Sequence, residues 1–150
     1  MDAERLRAFL LGLPDVVETM QWGANLVFWV GDKAIGGKMF ALVNLDEPRE
    51  SANGKRHLVL SYAAGPEHYP ELVERDGLVP APYMAKNFWV AAESWSVFTT
   101  AEWQRELRAA HALTLAKLPP KARKVLAMPP AEQKKAIAAR RKELAARASK

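Results

Sequence analysis

The sequence predicts an α+β fold: an antiparallel sheet of about five strands with helices packed on it, plus a basic C-terminal helical tail. Short runs rich in β-branched and aromatic residues predict the strands, and longer segments with apolar residues at helical spacing predict the helices. The charge distribution predicts the tail. Residues 119–150 carry ten Lys and Arg against two acids, a net charge of +8, whereas residues 1–118 have 12 bases and 15 acids. We therefore expect one domain at 1–119 and a basic tail at 120–150.

The helices follow from spacing and from residues that start or stop a helix. They are predicted at residues 2–11, 65–77, 99–118 and 131–148, with a short segment at 121–128 between the last two. Asp2 is a candidate N-cap for the first helix. Thr99 and Glu102 have the spacing of a capping box at the start of the third, and Pro119 stops it.

The strands are predicted at residues 26–30, 34–45, 57–63, 88–91 and 95–98, with an exposed loop at 46–56. Strict alternation along the second strand would place Met39, Ala41 and Val43 on one face and Phe40 and Leu42 on the other. Because both faces would be apolar, this strand is expected in the middle of the sheet. Short connections favour antiparallel neighbours.

The composition excludes several classes of site. The chain has no cysteine, so it cannot form disulfides, thiolate zinc sites, iron–sulfur clusters or a cysteine nucleophile. Absence of cysteine also fits a reducing compartment, and a cytoplasmic location is expected. The polar start of the chain predicts no signal peptide. No apolar run approaches the ~20 residues of a membrane span, so no membrane partner is expected.

No pattern in the sequence indicates catalysis. The three histidines, His57, His68 and His111, lie on different predicted elements and lack metal-ligand spacing. The acids between Glu67 and Asp76 are interpreted as a solvated helix face rather than a carboxylate metal site. Gly36-Gly37 before Lys38 lacks the spacing of a phosphate-binding loop, so strand register or close backbone approach explains the glycines better. We expect no enzyme, cofactor or metal.

Four short motifs follow one another along residues 2–119. They are Leu13-Pro14 followed by Trp22-Gly23, Gly36-Gly37-Lys38-Met39-Phe40-Ala41-Leu42, Tyr83-Met84-Ala85-Lys86-Asn87-Phe88-Trp89, and Ala116-Lys117-Leu118-Pro119. Together they resemble the MmcQ/YjbR-like family. The resemblance implies a CyaY-like α+β fold, also described as a double wing, and the DNA-binding role commonly assigned to that family. In the third motif, Met84, Lys86 and Trp89 match the family pattern, and the tail lies outside the resemblance.

The basic residues complete the functional hypothesis, a non-catalytic protein that binds nucleic acid, with DNA the expected partner. In the domain, Lys38 and Lys86 would contact phosphates and Trp89 would stack on a base, unless Trp89 is simply packed. The tail would supply electrostatic affinity through Lys121, Arg123, Lys124, Lys134, Lys135, Arg140, Arg141, Lys142 and Arg147. Two alternatives remain. The tail could be only a solubilising extension, or its Ile137/Leu144 stripe could dock on an acidic partner or a second copy. A monomer or weak homodimer is expected.

Overall fold

The computed structural model describes residues 1–21, 23–45 and 57–149. The strands are β1 (Val16–Gln21), β2 (Asn25–Val30), β3 (Lys38–Asn44), β4 (Leu60–Ala63), β5 (Leu78–Pro80) and β6 (Trp89–Ala92). The helices are α1 (Ala3–Leu11), α2 (Tyr69–Leu72), α3 (Thr100–Ala116), α4 (Pro120–Leu126) and α5 (Pro130–Ala148), with 3₁₀ turns at Lys33–Ile35, Ala85–Asn87 and Trp95–Val97. The predicted α+β class is confirmed. The predicted loop at 46–56, and Trp22 of the first motif, lie outside the described residues.

The described strands form one antiparallel sheet in the order β1-β2-β3-β4-β6-β5. It has six strands rather than about five. Patterning does not find β1, which mixes polar and apolar residues, or β5, which is only three residues long. The predicted strand at 95–98 is wrong. The Ser94 hydroxyl accepts a hydrogen bond from the Ser96 amide at 3.0 Å and starts a 3₁₀ turn there instead.

The main core lies between one face of the sheet and helices α1 and α3. Leu6 and Leu10 come from α1, and Trp103 and Leu107 from α3, and all four are fully buried. Trp103 is the largest of them and packs edge-on against three aromatic rings, with its indole N–H donating to the Trp95 carbonyl at 2.9 Å. Burying the apolar faces of these two helices on the sheet is what holds the domain together.

Both predicted N-terminal caps are confirmed, whereas the helix predicted at 65–77 extends only over Tyr69–Leu72. The Asp2 carboxylate accepts a hydrogen bond from the Arg5 amide at 2.9 Å. At the start of α3, the Thr99 hydroxyl accepts from the Glu102 amide at 3.1 Å, and the Glu102 carboxylate accepts from the Thr99 amide at 2.9 Å. This reciprocal pair satisfies two backbone donors that a helix start leaves open.

A β-bulge changes which residues of β3 share a face. Phe28 pairs with Ala41 but Trp29 pairs with Met39, so Phe40 is the extra residue. Phe40 and Ala41 therefore both join the main core, and Met39 lies on the opposite face. The alternation predicted for this strand is wrong at this point, because strict period-two patterning has no place for an inserted residue. We call the opposite face, on which none of the described helices is packed, the open face of the sheet.

The connection from β2 to β3 is tightly packed. Gly36 has a φ of +97°, a backbone conformation that residues other than glycine rarely adopt. A Cβ on Gly37 would lie 1.9 Å from the Gly31 carbonyl oxygen, so residue 37 must also be glycine. The predicted close backbone approach is confirmed for Gly37, whereas Gly36 is explained by its positive φ.

The tail packs on the domain. Ala122 of α4 is fully buried in the main core, and Leu126 lies over Gly31. Helix α5 packs against the 33–35 turn, where Arg141 forms an ion pair with the buried carboxylate of Asp32. The division at residue 120 stays a prediction, but α4 supplies side chains to the domain core. Among the helices that the structure describes, none is long and apolar enough to cross a bilayer.

Candidate functional site

Strand order brings two of the predicted residues to one end of the sheet. β3 and β6 are both antiparallel to β4, which lies between them, so they begin at the same end. Lys38 is the first residue of β3. Lys86 lies in the 3₁₀ turn immediately before β6. Residues 48 positions apart in the chain therefore lie at the same end of the sheet.

Lys38 and Lys86 line a cleft of about 620 Å³ together with Lys33 and Lys117. We call it the lysine cleft. Lys33 comes from the turn between β2 and β3, and Lys117 from the C-terminal cap of α3. Among the described residues, no Asp or Glu lines the cleft and none of the four lysines forms an ion pair. Four uncompensated cations in one concave surface produce a positive potential that attracts anions.

Sequence reasoning did not find Lys33 and Lys117. No local spacing links either lysine to Lys38, and only the connection of β2 to β3 and the end of α3 bring them together. Lys33 also lies near an aromatic surface, with its Nζ 5.9 Å from the ring centroid of Trp29. Trp29 itself is held by a 2.8 Å hydrogen bond from its indole N–H to the Thr19 hydroxyl.

Trp89 is packed, with only 5% of its surface exposed. It forms a small apolar cluster on the open face with Ala63, Ala81 and Ala91. Trp89 also lines the lysine cleft, so it contributes a wall there. The predicted stacking of this ring on a base has only that small exposed part of the ring available to it.

The loop before β6 holds two aromatic residues in an unfavourable backbone conformation. Tyr83 has φ of +64° and Phe88 has φ of +62°, a region that costs a non-glycine residue about 1 kcal/mol or more. Tyr83 is 91% exposed, and Phe88, which lines the lysine cleft, is 39% exposed. Strain of this kind persists where the surrounding structure fixes it and is common at binding sites.

A second cavity of about 520 Å³ adjoins the lysine cleft on the open face. We call it the apolar cavity. The two cavities share Met39, Met84 and Trp89 as lining residues. The further walls of the apolar cavity are mainly apolar, Tyr83 lines it from the loop, and a few polar groups are present, among them Ser61.

The predicted tail residues divide into two groups. Arg123, Arg140 and Arg141 have partners within the chain: Arg123 donates to the Ala116 carbonyl at the end of α3, Arg140 pairs with Glu143 at 2.8 Å, and Arg141 pairs with Asp32. The other six are exposed and form no ion pair with any described residue. They are Lys121, Lys124, Lys134, Lys135, Lys142 and Arg147. The tail is thus docked at a few points but keeps most of its positive charge in solvent.

The tail and the lysine cleft form adjoining positive surfaces. A Cβ on Gly36 would lie 3.3 Å from Cε of Lys121, which places this first tail lysine beside the turn that carries Lys33. α5 packs against the same turn. Positive charge therefore continues from the cleft onto the tail around residues 33–36.

The structure also brings together a buried polar cluster that the sequence does not show. The Glu106 carboxylate, 7% exposed, accepts hydrogen bonds from His68 Nε2 at 2.9 Å and from the Tyr62 hydroxyl at 3.2 Å. Burial and the neighbouring carboxylate raise the pKa of Tyr62 well above its usual range. His111 lies elsewhere, its Nε2 donating to the Pro14 carbonyl at 2.7 Å. Within the described ranges, no group of three or more His, Asp or Glu side chains could hold a metal ion.

Comparison with known proteins agrees with this architecture. The crystal structure of Deinococcus radiodurans protein DR2400, which contains a DUF419 domain, is similar with a TM-score of 0.68 and 25% sequence identity, over 85% of this chain and 89% of that chain. No curated protein matches the chain. The family model named YjbR matches residues 11–113, which include every strand of the sheet and most of α3. The predicted family is therefore confirmed: this chain belongs to the YjbR family.

Proposed function

We propose that this protein is a non-catalytic nucleic-acid-binding protein, with DNA as the expected polymer. The phosphates of the nucleic acid would bind in the lysine cleft and along the exposed cations of the tail. The observation that carries the proposal is the convergence of Lys33, Lys38, Lys86 and Lys117 on one cleft, among whose described lining residues there is no acid. Lysine clusters of this kind recognise phosphate as point charges and carry no sequence information themselves.

The physical driving force is counterion release. A nucleic acid strand carries condensed cations, and each phosphate that a lysine neutralises frees them into solution. The cleft supplies four such lysines, and the tail adds six exposed cations that have no acidic partner among the described residues. Affinity should therefore be high at low salt and fall steeply as salt is added.

The test is fluorescence anisotropy of labelled single-stranded and duplex DNA with the full-length chain. The cleft variant is Lys38→Gln/Lys86→Gln. The matched control is Arg5→Gln/Arg105→Gln, which removes the same charge from two exposed arginines on α1 and α3. We expect the cleft variant to lose about tenfold or more in affinity at low salt and the control to lose little. Equal losses would show that net charge alone matters, and no binding by the unmodified chain would refute the proposal.

A protein partner is the second candidate, because Leu144 is 39% exposed among charged residues in the part of α5 that extends beyond Arg141. Ile137 is half-buried, so one end of the predicted apolar stripe is already partly covered. This alternative predicts that the chain self-associates and that Leu144→Gln abolishes the association. Light scattering over a concentration series measures it, and a monomer at every concentration would exclude a second copy as the partner.

A further inference from the structure

We propose that the apolar cavity receives one unpaired base of a single-stranded nucleic acid whose neighbouring phosphates lie in the lysine cleft. This inference rests on the proposed function and makes it more specific. The ligand chemistry is a heterocyclic base joined to phosphate, and the strand, rather than a free nucleotide, is its source.

The first argument is adjacency. The apolar cavity and the lysine cleft share Met39, Met84 and Trp89 as lining residues, so a base in the cavity and its phosphate in the cleft would lie on either side of the same three side chains. An apolar cavity next to a cationic cleft matches a nucleotide, which has an apolar planar face at one end and negative charge at the other. The volume of about 520 Å³ lies within the range of small-ligand sites.

The second argument is the chemistry of the lining. Leu42 and Ser61 are directly opposite each other on β3 and β4, and both line the cavity on the open face. The apolar walls fit the faces of a base, and a small number of polar groups such as the Ser61 hydroxyl can meet its polar edge. This combination of mostly apolar walls with few polar groups is typical of sites for small planar ligands.

The third argument is Tyr83. Its ring is 91% exposed, although its backbone has φ of +64°, so the fold holds an aromatic side chain in solvent at an energetic cost. The loop is fixed by hydrogen bonds from the Met84 amide to the Ala81 carbonyl at 3.1 Å and from the Trp89 amide to the Met84 carbonyl at 3.3 Å. An exposed ring at a cavity beside a cationic cleft provides a surface on which an unpaired base can stack.

The geometry favours a single strand over a duplex. In a duplex both faces of each base are covered by stacking, and a base must be turned out of the helix before it can enter a cavity. A single strand offers its bases without that cost. The four lysines of the cleft also exceed what the phosphate of one mononucleotide can neutralise.

The experiment compares three labelled ligands at low salt by anisotropy: an oligothymidylate, the same strand with abasic sites, and a duplex of equal length. The abasic strand keeps every phosphate, so it separates base binding from electrostatic binding. We expect the full-length chain to bind the oligothymidylate about tenfold more tightly than the abasic strand. Equal affinity for these two would overturn the inference and leave the proposed function intact, whereas no binding of any ligand would refute both.

Two variants locate the effect. Ser61→Phe fills the cavity from the centre of β4 and should remove the preference for bases. Its matched control is Val79→Phe, on the same face of the sheet but outside the cavity lining, and it should keep the preference. Tyr83→Ala, at a position that is 91% exposed, should reduce the preference without affecting folding, as judged by circular dichroism. If folded Ser61→Phe and Tyr83→Ala both discriminate like the unmodified chain, the base does not bind here. Displacement of the strand by equimolar thymidine monophosphate would overturn the assignment of a strand as the ligand.

Discussion

Neutralising two neighbouring pairs of cations in α5 tests whether the free charges of the tail act on the polyanion. Lys134 and Lys135 are exposed and form no ion pair with a described residue, whereas Arg140 and Arg141 pair with Glu143 and Asp32. The two pairs lie on the same helix and carry the same charge. The double variants Lys134→Gln/Lys135→Gln and Arg140→Gln/Arg141→Gln therefore differ chiefly in what each pair contacts within the chain.

The expected magnitude follows from counterion release. On single-stranded DNA each phosphate contact contributes about 0.7 to the slope of log affinity against log salt. Losing two contacts at Lys134 and Lys135 should therefore reduce the slope by about 1.4. Between about 50 and 200 mM salt, the unmodified chain should lose about sevenfold more affinity than this variant does. The variant Arg140→Gln/Arg141→Gln should change the slope less, because the charges of these two arginines are already offset by acids of the chain.

The arginine pair should act on stability instead. The carboxylate of Asp32 is only 8% exposed, and its partner Arg141 holds α5 against the 33–35 turn. Removing that partner leaves a largely buried carboxylate without its cation, so the melting temperature should fall, while the lysine variant should melt like the unmodified chain. The assays are an anisotropy salt series and thermal melting by circular dichroism. Equal slope changes from both variants, or none from either, would refute the reasoning.

Two further predictions concern the domain. The hydrogen bond from the Thr99 amide holds the pKa of Glu102 below its usual value. The ionised carboxylate therefore stabilises the fold above the unfolded-state pKa, and this stabilisation is lost as the pH falls through the lowered pKa. The difference in melting temperature between the unmodified chain and Glu102→Gln should disappear in acid, and a difference independent of pH would contradict this. In urea unfolding, Tyr62→Phe should lower the free energy of unfolding by about 1 kcal/mol and Glu106→Ala by about 2–3 kcal/mol. The second change has the larger effect because it leaves the buried Tyr62 hydroxyl without its acceptor. Equal decreases would show that the carboxylate is not needed there.

Features that depend on neighbours in the chain could be predicted from the sequence. The Asp2 cap and the Thr99/Glu102 capping box form as their spacing indicates, since both are contacts within one helical turn. Helix α5 also lies where its composition places it. The errors have two physical causes. Pairing with β2 recruits β1 despite its mixed composition, and at residues 95–98 a local contact decides, because the Ser94 hydroxyl accepts a hydrogen bond from the Ser96 amide and starts a turn.

Only part of the candidate site could be predicted from the sequence. The sequence predicts Lys38 and Lys86 as phosphate contacts of the domain, but their position at the same end of the sheet depends on β4 lying between β3 and β6. Lys33 lies outside the four motifs, and Lys117 lies within one of them without being predicted as a contact, because a lysine at the end of a turn or helix is usually only solvated. Trp89 shows the reverse case: its residue type indicates a stacking surface, and burial against three alanines makes it part of a wall.

By itself the sequence determined the family, the α+β class, the absence of cysteine chemistry and a C-terminal segment with a net charge of +8. Each of these follows from residue types and from the spacing of nearby residues, and neither depends on tertiary contacts. Only the tertiary structure decided which cations are free, which are paired, and that four lysines line one cleft beside an apolar cavity. The reason is that proximity between distant residues is set by strand order and core packing, which no local pattern encodes.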